Sequence, residues 1–188
     1  IVFNMNPGKP TGEWNQIMTL PRRLTLLGRD EIGQEPAGDI ASLRYQHQEI
    51  KSLPLPANKE VVLKGIQGNA MELELEIAPG DAPVIELNVL RSGGKEEYTR
   101  IVFMRNRGMG AGRDYRYGQV APLLVERPNQ APAAPASNPP QRQSLISLET
   151  SSASLHPDVM PRGPETAYFN IDKDEPLKLR VFIDKSVV

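Results

Sequence analysis

Residues 71–77 read Met-Glu-Leu-Glu-Leu-Glu-Ile. Met71, Leu73, Leu75 and Ile77 fall on one side of an extended chain and Glu72, Glu74 and Glu76 on the other, because successive side chains of a strand point to opposite faces. No helical spacing gathers these residues, so the segment is a strand with one buried face and one wet face. The same rhythm recurs outward from it. In VIELNVL, Ile85, Leu87 and Val89 share a side, and in EEYTRIVFM, Tyr98, Arg100, Val102 and Met104 oppose Thr99, Ile101 and Phe103. Between those two runs, Ser92-Gly93-Gly94-Lys95 is a hairpin turn signal. Near the end, Leu177, Leu179, Val181 and Ile183 alternate with Lys178, Arg180, Phe182 and Asp184.

Weaker patterns predict strands over residues 17–27, 46–53, 60–65, 115–119, 145–149 and 167–171, a spacing expected of β-sandwiches. Helix is scarce. The one expected turn or two of helix covers residues 39–44, with Asp39 as its cap.

Composition narrows the function classes. The chain has 188 residues, 22 Lys+Arg against 23 Asp+Glu, and no Cys. Disulfide frameworks, thiolate zinc sites and Cys nucleophiles are therefore excluded. A charge near zero argues against nucleic acid, which wants a basic domain. No run of apolar residues is long enough to span a membrane as a helix. We expect no cofactor and no metal: His47 and His156 are far apart and have no companion at ligand spacing. Ile1 stands where a Met would begin a chain, and strand rhythm runs on to Val188, so we expect a piece of a longer protein.

Three features invite chemistry. Gly108-Met109-Gly110-Ala111-Gly112-Arg113 looks like a phosphate loop, but strand-like Asp114-Tyr115-Arg116-Tyr117 follows where a helix is required, and a glycine-rich hairpin loop is the better reading. Arg105, Arg107, Arg113 and Arg116 cluster there, as an anion contact or as a solvated run. Tyr115 and Tyr117 point the same way, and with Trp14, the sole Trp, they are the candidates for stacking on sugar, weighed against aromatic residues of the core. Residues 128–142, PNQAPAAPASNPPQR, form a Pro-rich insertion between strands in preference to a polyproline ligand for a partner.

Residues 14–26 read WNQIMTLPRRLTL, 31–44 read EIGQEPAGDIASLR, and 162–188 read RGPETAYFNIDKDEPLKLRVFIDKSVV. These three stretches resemble glycoside hydrolase family 32, the invertase, inulinase and levanase group. The first is similar to the join between the last propeller blade and the C-terminal sandwich. The second resembles the exit segment with its short helix, and the third the closing strands. The resemblance implies an all-β fold: a two-sheet antiparallel β-sandwich preceded by the last strand of a five-bladed β-propeller. The domains would be 1–28, the end of the propeller's last blade; 29–44, an exit linker; and 45–188, the sandwich, truncated at its end and carrying the insertion 128–142.

It also implies a β-fructofuranosidase parent that hydrolyses fructosyl bonds in sucrose or fructans with retention. Such a displacement needs two carboxyl groups about 5–5.5 Å apart. The family's carboxylates lie in Asn-Asp-Pro-Asn-Gly, Arg-Asp-Pro and Glu-Cys motifs. Asn4-Met5-Asn6-Pro7-Gly8 has no Asp, Arg29-Asp30-Glu31 has no Pro, and Glu-Cys cannot occur without Cys, so no catalytic residue is expected in this chain. The expected partners are the catalytic propeller of the same chain and, since some sandwiches of the family pair through their edges, a second copy. Export to the periplasm or medium is expected over a cytoplasmic location, as for enzymes that digest external fructans. The alternative is a carbohydrate-binding sandwich that uses Trp14, Tyr115 and Tyr117.

Overall fold

The computed structural model describes residues 3–5, 16–28, 32–108, 143–159, 162–185 and 187–188. The chain divides into two compact units, residues 1–67 with 156–160, and residues 68–155 with 161–188.

The second unit holds the strands that the alternating patterns predict. Strand β5 (Ala70–Ile77) pairs antiparallel with β10 (Leu177–Asp184) over eight residues, from Ala70 opposite Asp184 to Ile77 opposite Leu177. This register places Met71, Leu73, Leu75 and Ile77 beside Ile183, Val181, Leu179 and Leu177, so one face of the pair is wholly apolar. The other face sets Glu72, Glu74 and Glu76 beside Phe182, Arg180 and Lys178. A single slip would interchange the faces, and burial of one of them fixes the register.

The second sheet is a four-stranded antiparallel meander of β6 (Val84–Val89), β7 (Thr99–Gly108), β8 (Gln143–Glu149) and β9 (Glu165–Phe169). Its inner face meets the apolar face of β5 and β10. Val89 and Ile101 pack with Val181 and Ile183, and the partly buried Met71, Leu73, Leu87, Ile146, Leu148 and Leu179 close around them. Phe103 is 1% exposed. Its ring lies 5.9 Å from that of Phe169, tilted by 40°. Two antiparallel sheets joined through alternating inward side chains make the expected sandwich core.

The predicted hairpin between β6 and β7 is present. Ser92 N–H donates to Glu97 O at 2.8 Å, Lys95 N–H returns to Ser92 O at 3.0 Å, and Lys95 takes a positive φ of 64°. Beyond Met104, β7 bulges: Met104 faces Leu145, and the next registered pair is Gly108 with Gln143. Asn106, with φ 50°, turns the chain there, and its N–H donates to the buried Ser144 Oγ at 3.2 Å. Asn tolerates the left-handed region better than most residues, which suits it to a bulge.

The first unit carries two hairpins. Strand β1 (Phe3–Met5) pairs with β2 (Gln16–Met18), and β3 (Arg22–Leu26) with β4 (Ile32–Pro36). The predicted strand over 17–27 is thus two strands, broken at Pro21, which has no donor for a ladder. Strand β4 has no alternating pattern. Gly33 in it lies under Leu27, and a Cβ there would meet Leu27 Cδ1 at 3.0 Å. The expected helix is a single 3-10 turn, Ile40–Leu43, with Asp39 Oδ1 accepting from Ser42 N–H at 3.2 Å. Residues 46–53 and 60–65, predicted as strands, have no regular structure. Pro54 and Pro56 remove donors beside the first, and positive φ values at Gln46, Asn58 and Gly65 turn the chain out of extended geometry. No helix among the described residues is long and apolar enough to cross a membrane.

Candidate functional site

Trp14, Tyr115 and Tyr117 lie outside the described residues, together with Arg113 and Arg116. Arg105 sits at the β7 bulge. Its backbone N–H donates to Pro83 O at 2.9 Å and its Nη1 to Gly80 O, which ties the turn before β6 to the bulge. His47 and His156 are exposed, and His156 Nδ1 accepts from Asp158 N–H at 3.2 Å. Among the described residues no three His, Asp or Glu side chains converge as metal ligands.

The structure assembles polar and aromatic groups elsewhere, on the outer face of the four-stranded sheet. Opposed residues of neighbouring strands share a face, so the registers of β6 to β9 lay out three rows across the strands. The first row is Val84, Met104, Leu145 and Tyr168; the second is Glu86, Val102, Ser147 and Thr166; the third is Asn88, Arg100 and Glu149. In the third row Arg100 Nε donates to Glu149 Oε2 at 2.9 Å and Nη2 joins it, while Arg100 Nη1 lies 3.7 Å from Glu86 Oε1. The hydrogen bonds to Glu149 push the Arg100 guanidinium above its ordinary pKa, and the charges of Glu149 and Glu86 add to this, against desolvation that lowers it. Ser147 Oγ and Thr166 Oγ1 are hydrogen-bonded at 3.2 Å. Asn88 Oδ1 is buried without a hydrogen-bond partner, an arrangement that costs about 1–3 kcal/mol while it lasts. Tyr168 is 49% exposed. Its hydroxyl makes no hydrogen bond among the described residues. The sequence marks residues 167–171 as a strand but shows no alternation that would say which side of it faces outward, so Tyr168 does not stand out before the register is known.

The outer face of β5 and β10 is a charge ladder. Arg180 Nε binds Glu72, lies 3.7 Å from Glu74 Oε1, and its guanidinium sits 4.8 Å from the centre of the Phe182 ring. Lys178 Nζ is 3.9 Å from Glu76 Oε2. An exposed pair such as Lys178–Glu76 contributes about 0–1 kcal/mol.

In the first unit the β3–β4 hairpin has one polar and one apolar side. Arg23 Nη1 meets Glu35 Oε1 at 3.4 Å on the polar side. On the other, Leu24, Leu26 and Ile32 are 65%, 72% and 62% exposed, with Arg22 Nη1 donating to Gln34 Oε1 at 3.0 Å at their margin. Covering three such side chains is worth on the order of 5 kcal/mol.

Residues 39–188 match the family model described as Glycosyl hydrolases family 32 C terminal. The chain belongs to glycoside hydrolase family 32. No curated protein and no solved structure matches it. The matched span contains the 3-10 turn and every strand from β5 to β10, so the antiparallel sandwich of the second unit falls within the family 32 C-terminal region. Hydrolysis of a glycosidic bond by paired carboxyl groups requires one to give a proton and the other to attack or to activate water. In this family 32 domain Glu72 and Glu74 flank Arg180, Glu86 and Glu149 flank Arg100, and Glu76 faces Lys178. These carboxylates are disposed for pairing strands.

Proposed function

We propose that this chain is the accessory β-sandwich of a family 32 β-fructosidase, and that the whole enzyme hydrolyses fructosyl bonds in sucrose or fructans with retention of configuration. The catalytic carboxylates belong to a propeller formed by other residues of the same protein. This chain does no chemistry of its own. It supports that propeller by covering apolar surface, and residues 1–28 complete the propeller's last blade. The observation that carries the reading, beside the family match, is the exposed apolar side of the β3–β4 hairpin at Leu24, Leu26 and Ile32. An apolar strip of this kind, ending in the Arg22–Gln34 pair, is what an edge built to dock on a neighbouring sheet presents.

Two measurements test the proposal. The purified chain, incubated with sucrose, inulin or levan, is expected to release no fructose above a blank; release would overturn the accessory role. In the full-length enzyme, Leu24→Asp combined with Ile32→Asp is expected to lower Tm by several degrees, since the two side chains forfeit about 3 kcal/mol of burial. An unchanged melting curve would show that this strip covers nothing.

A further inference from the structure

We propose that the Lys51–Ser52 peptide bond is a processing site, at which an endoprotease with an acidic pocket for lysine cuts the chain and leaves the family 32 sandwich folded. The step is hydrolysis: the C–N bond between Lys51 and Ser52 breaks, and water gives its hydroxyl to the Lys51 carbonyl carbon and its proton to the Ser52 nitrogen. The proposal does not depend on the β-fructosidase reading.

An endoprotease binds several residues of its substrate in extended form, taking their backbone as an added strand. A folded chain offers such a stretch where the backbone is exposed, without ladder partners and without left-handed turns. Residues 47–53, His-Gln-Glu-Ile-Lys-Ser-Leu, meet these conditions. They belong to no strand or helix, and His47 to Ser52 are all exposed. Among the described residues, the stretch 45–57 makes no hydrogen bond and no ion pair. Its nearest positive φ values, at Gln46 and Asn58, lie on either side of residues 47–53. The side chains carry the rhythm of a strand while the fold supplies no neighbour for it, so the vacant ladder positions are open to a protease cleft.

The other lysines of the described residues each fail one condition. Lys178 is held in the β5–β10 ladder opposite Glu76. Lys95 and Lys185 have left-handed φ values of 64° and 55°, and their N–H groups donate to Ser92 O and Asn69 O. Lys59 directly follows Asn58, with φ 56°, and Lys64 stands in a turn closed by Ile66 N–H on Leu63 O at 3.2 Å. Lys173 lies inside the turn that Glu175 N–H closes on Asp172 O, also at 3.2 Å. Lys51 alone among them combines exposure with an unbonded, turn-free backbone.

A cut there spares the sandwich. The second unit starts at residue 68, and every paired residue of β5 to β10 lies beyond it. The β3–β4 hairpin lies before the cut, so this one bond decides whether the hairpin and the sandwich stay on one chain.

The test is native digestion of the 188-residue chain with a lysine-specific endoprotease, the products being weighed by mass spectrometry over time. Residues 109–142 contain arginines but no lysine, so they contribute no cuts. Cutting after Lys51 is expected first, about tenfold or more faster than after Lys178, whose exposure requires a ladder to open. The product 52–188 should keep the urea unfolding midpoint of the intact chain. Ser52→Pro puts a proline directly after the lysine and removes an N–H that bonds to nothing, so it should abolish this cut at an unchanged midpoint.

A first cut after another of the described lysines would overturn the proposal. So would a Lys51 cut that appears only in step with global unfolding as urea is added, or a 52–188 product with a lowered midpoint. Fructose release by the chain bears on the accessory role alone and leaves these outcomes as they stand.

Discussion

Phe103→Ala tests the sandwich at its most enclosed point. Phe103 lies on β7, 1% exposed, with Ile85 and Ile146 opposite it on the neighbouring strands and the Phe169 ring 5.9 Å away. Removing the ring forfeits its transfer free energy and leaves a cavity that two packed sheets relax into only in part. The expected cost is about 3–5 kcal/mol, of which the lost ring pair is about 1 kcal/mol. A domain of this kind has about 5–15 kcal/mol in total, so the variant approaches the threshold of folding. Urea unfolding followed by far-UV circular dichroism reads the loss as a midpoint lowered by about 1–3 M at unchanged m-value. Tyr168→Ala is the matched control. It sits next to Phe169 on β9 and faces outward, and its cost should stay within about 0.5 kcal/mol. A Phe103→Ala loss below about 1 kcal/mol, or equal losses from the two variants, would refute the packing of the two sheets through this layer.

Other expectations follow from single contacts. Glu149→Ala should cost about 1 kcal/mol, measured by the same unfolding curve, because it removes the partly buried acceptor of Arg100 and leaves Glu86 at its longer distance. Asp39→Ala should cost about 1 kcal/mol in the local stability of the 3-10 turn, read by hydrogen exchange at Ser42, whose N–H loses its acceptor. Ser92→Ala should raise the Glu96 pKa towards the ordinary carboxylate range. The Ser92 hydroxyl, 2.6 Å from Glu96 Oε2, is the main cause that lowers it, helped by backbone N–H donors and the Arg91 charge. A carboxyl lowered in the folded state adds stability that is present above its unfolded pKa and lost as pH falls through the folded value. The variant should therefore lose less stability on acidification than the wild type, and an unmoved Glu96 titration by NMR would refute this.

The fold was legible where alternation was clean. Residues 71–77 and 177–184 declared both of their faces, and the structure buries the ones expected. The Ser92 to Lys95 turn was legible because its glycines and its length specify a hairpin. Strand β4 was not, since Ile32–Pro36 contains Gly33 and Pro36 and owes its extended form to pairing with β3. Residues 46–53 and 60–65 show the converse: they have strand-forming side chains, but flanking prolines and positive-φ turns leave them without a ladder. The aromatic candidates Trp14, Tyr115 and Tyr117 stood out by residue type and local spacing. Tyr168 did not, because its place at the end of a row comes from three neighbours on three other strands.

By itself, then, the sequence determined what is local: the alternation of faces, the turn, the Asp39 cap, the absence of thiol chemistry, and a resemblance to family 32 that the family match bears out over residues 39–188. Only the tertiary structure decided that β5 pairs with β10 across about a hundred intervening residues, that Arg100 stands between Glu86 and Glu149, and that Tyr168 ends an apolar row. The physical reason is the same in each case. Side-chain direction along a strand is set by the chain's own geometry, whereas the neighbour across a sheet is set by register, and register is chosen by burial of the whole inner face at once.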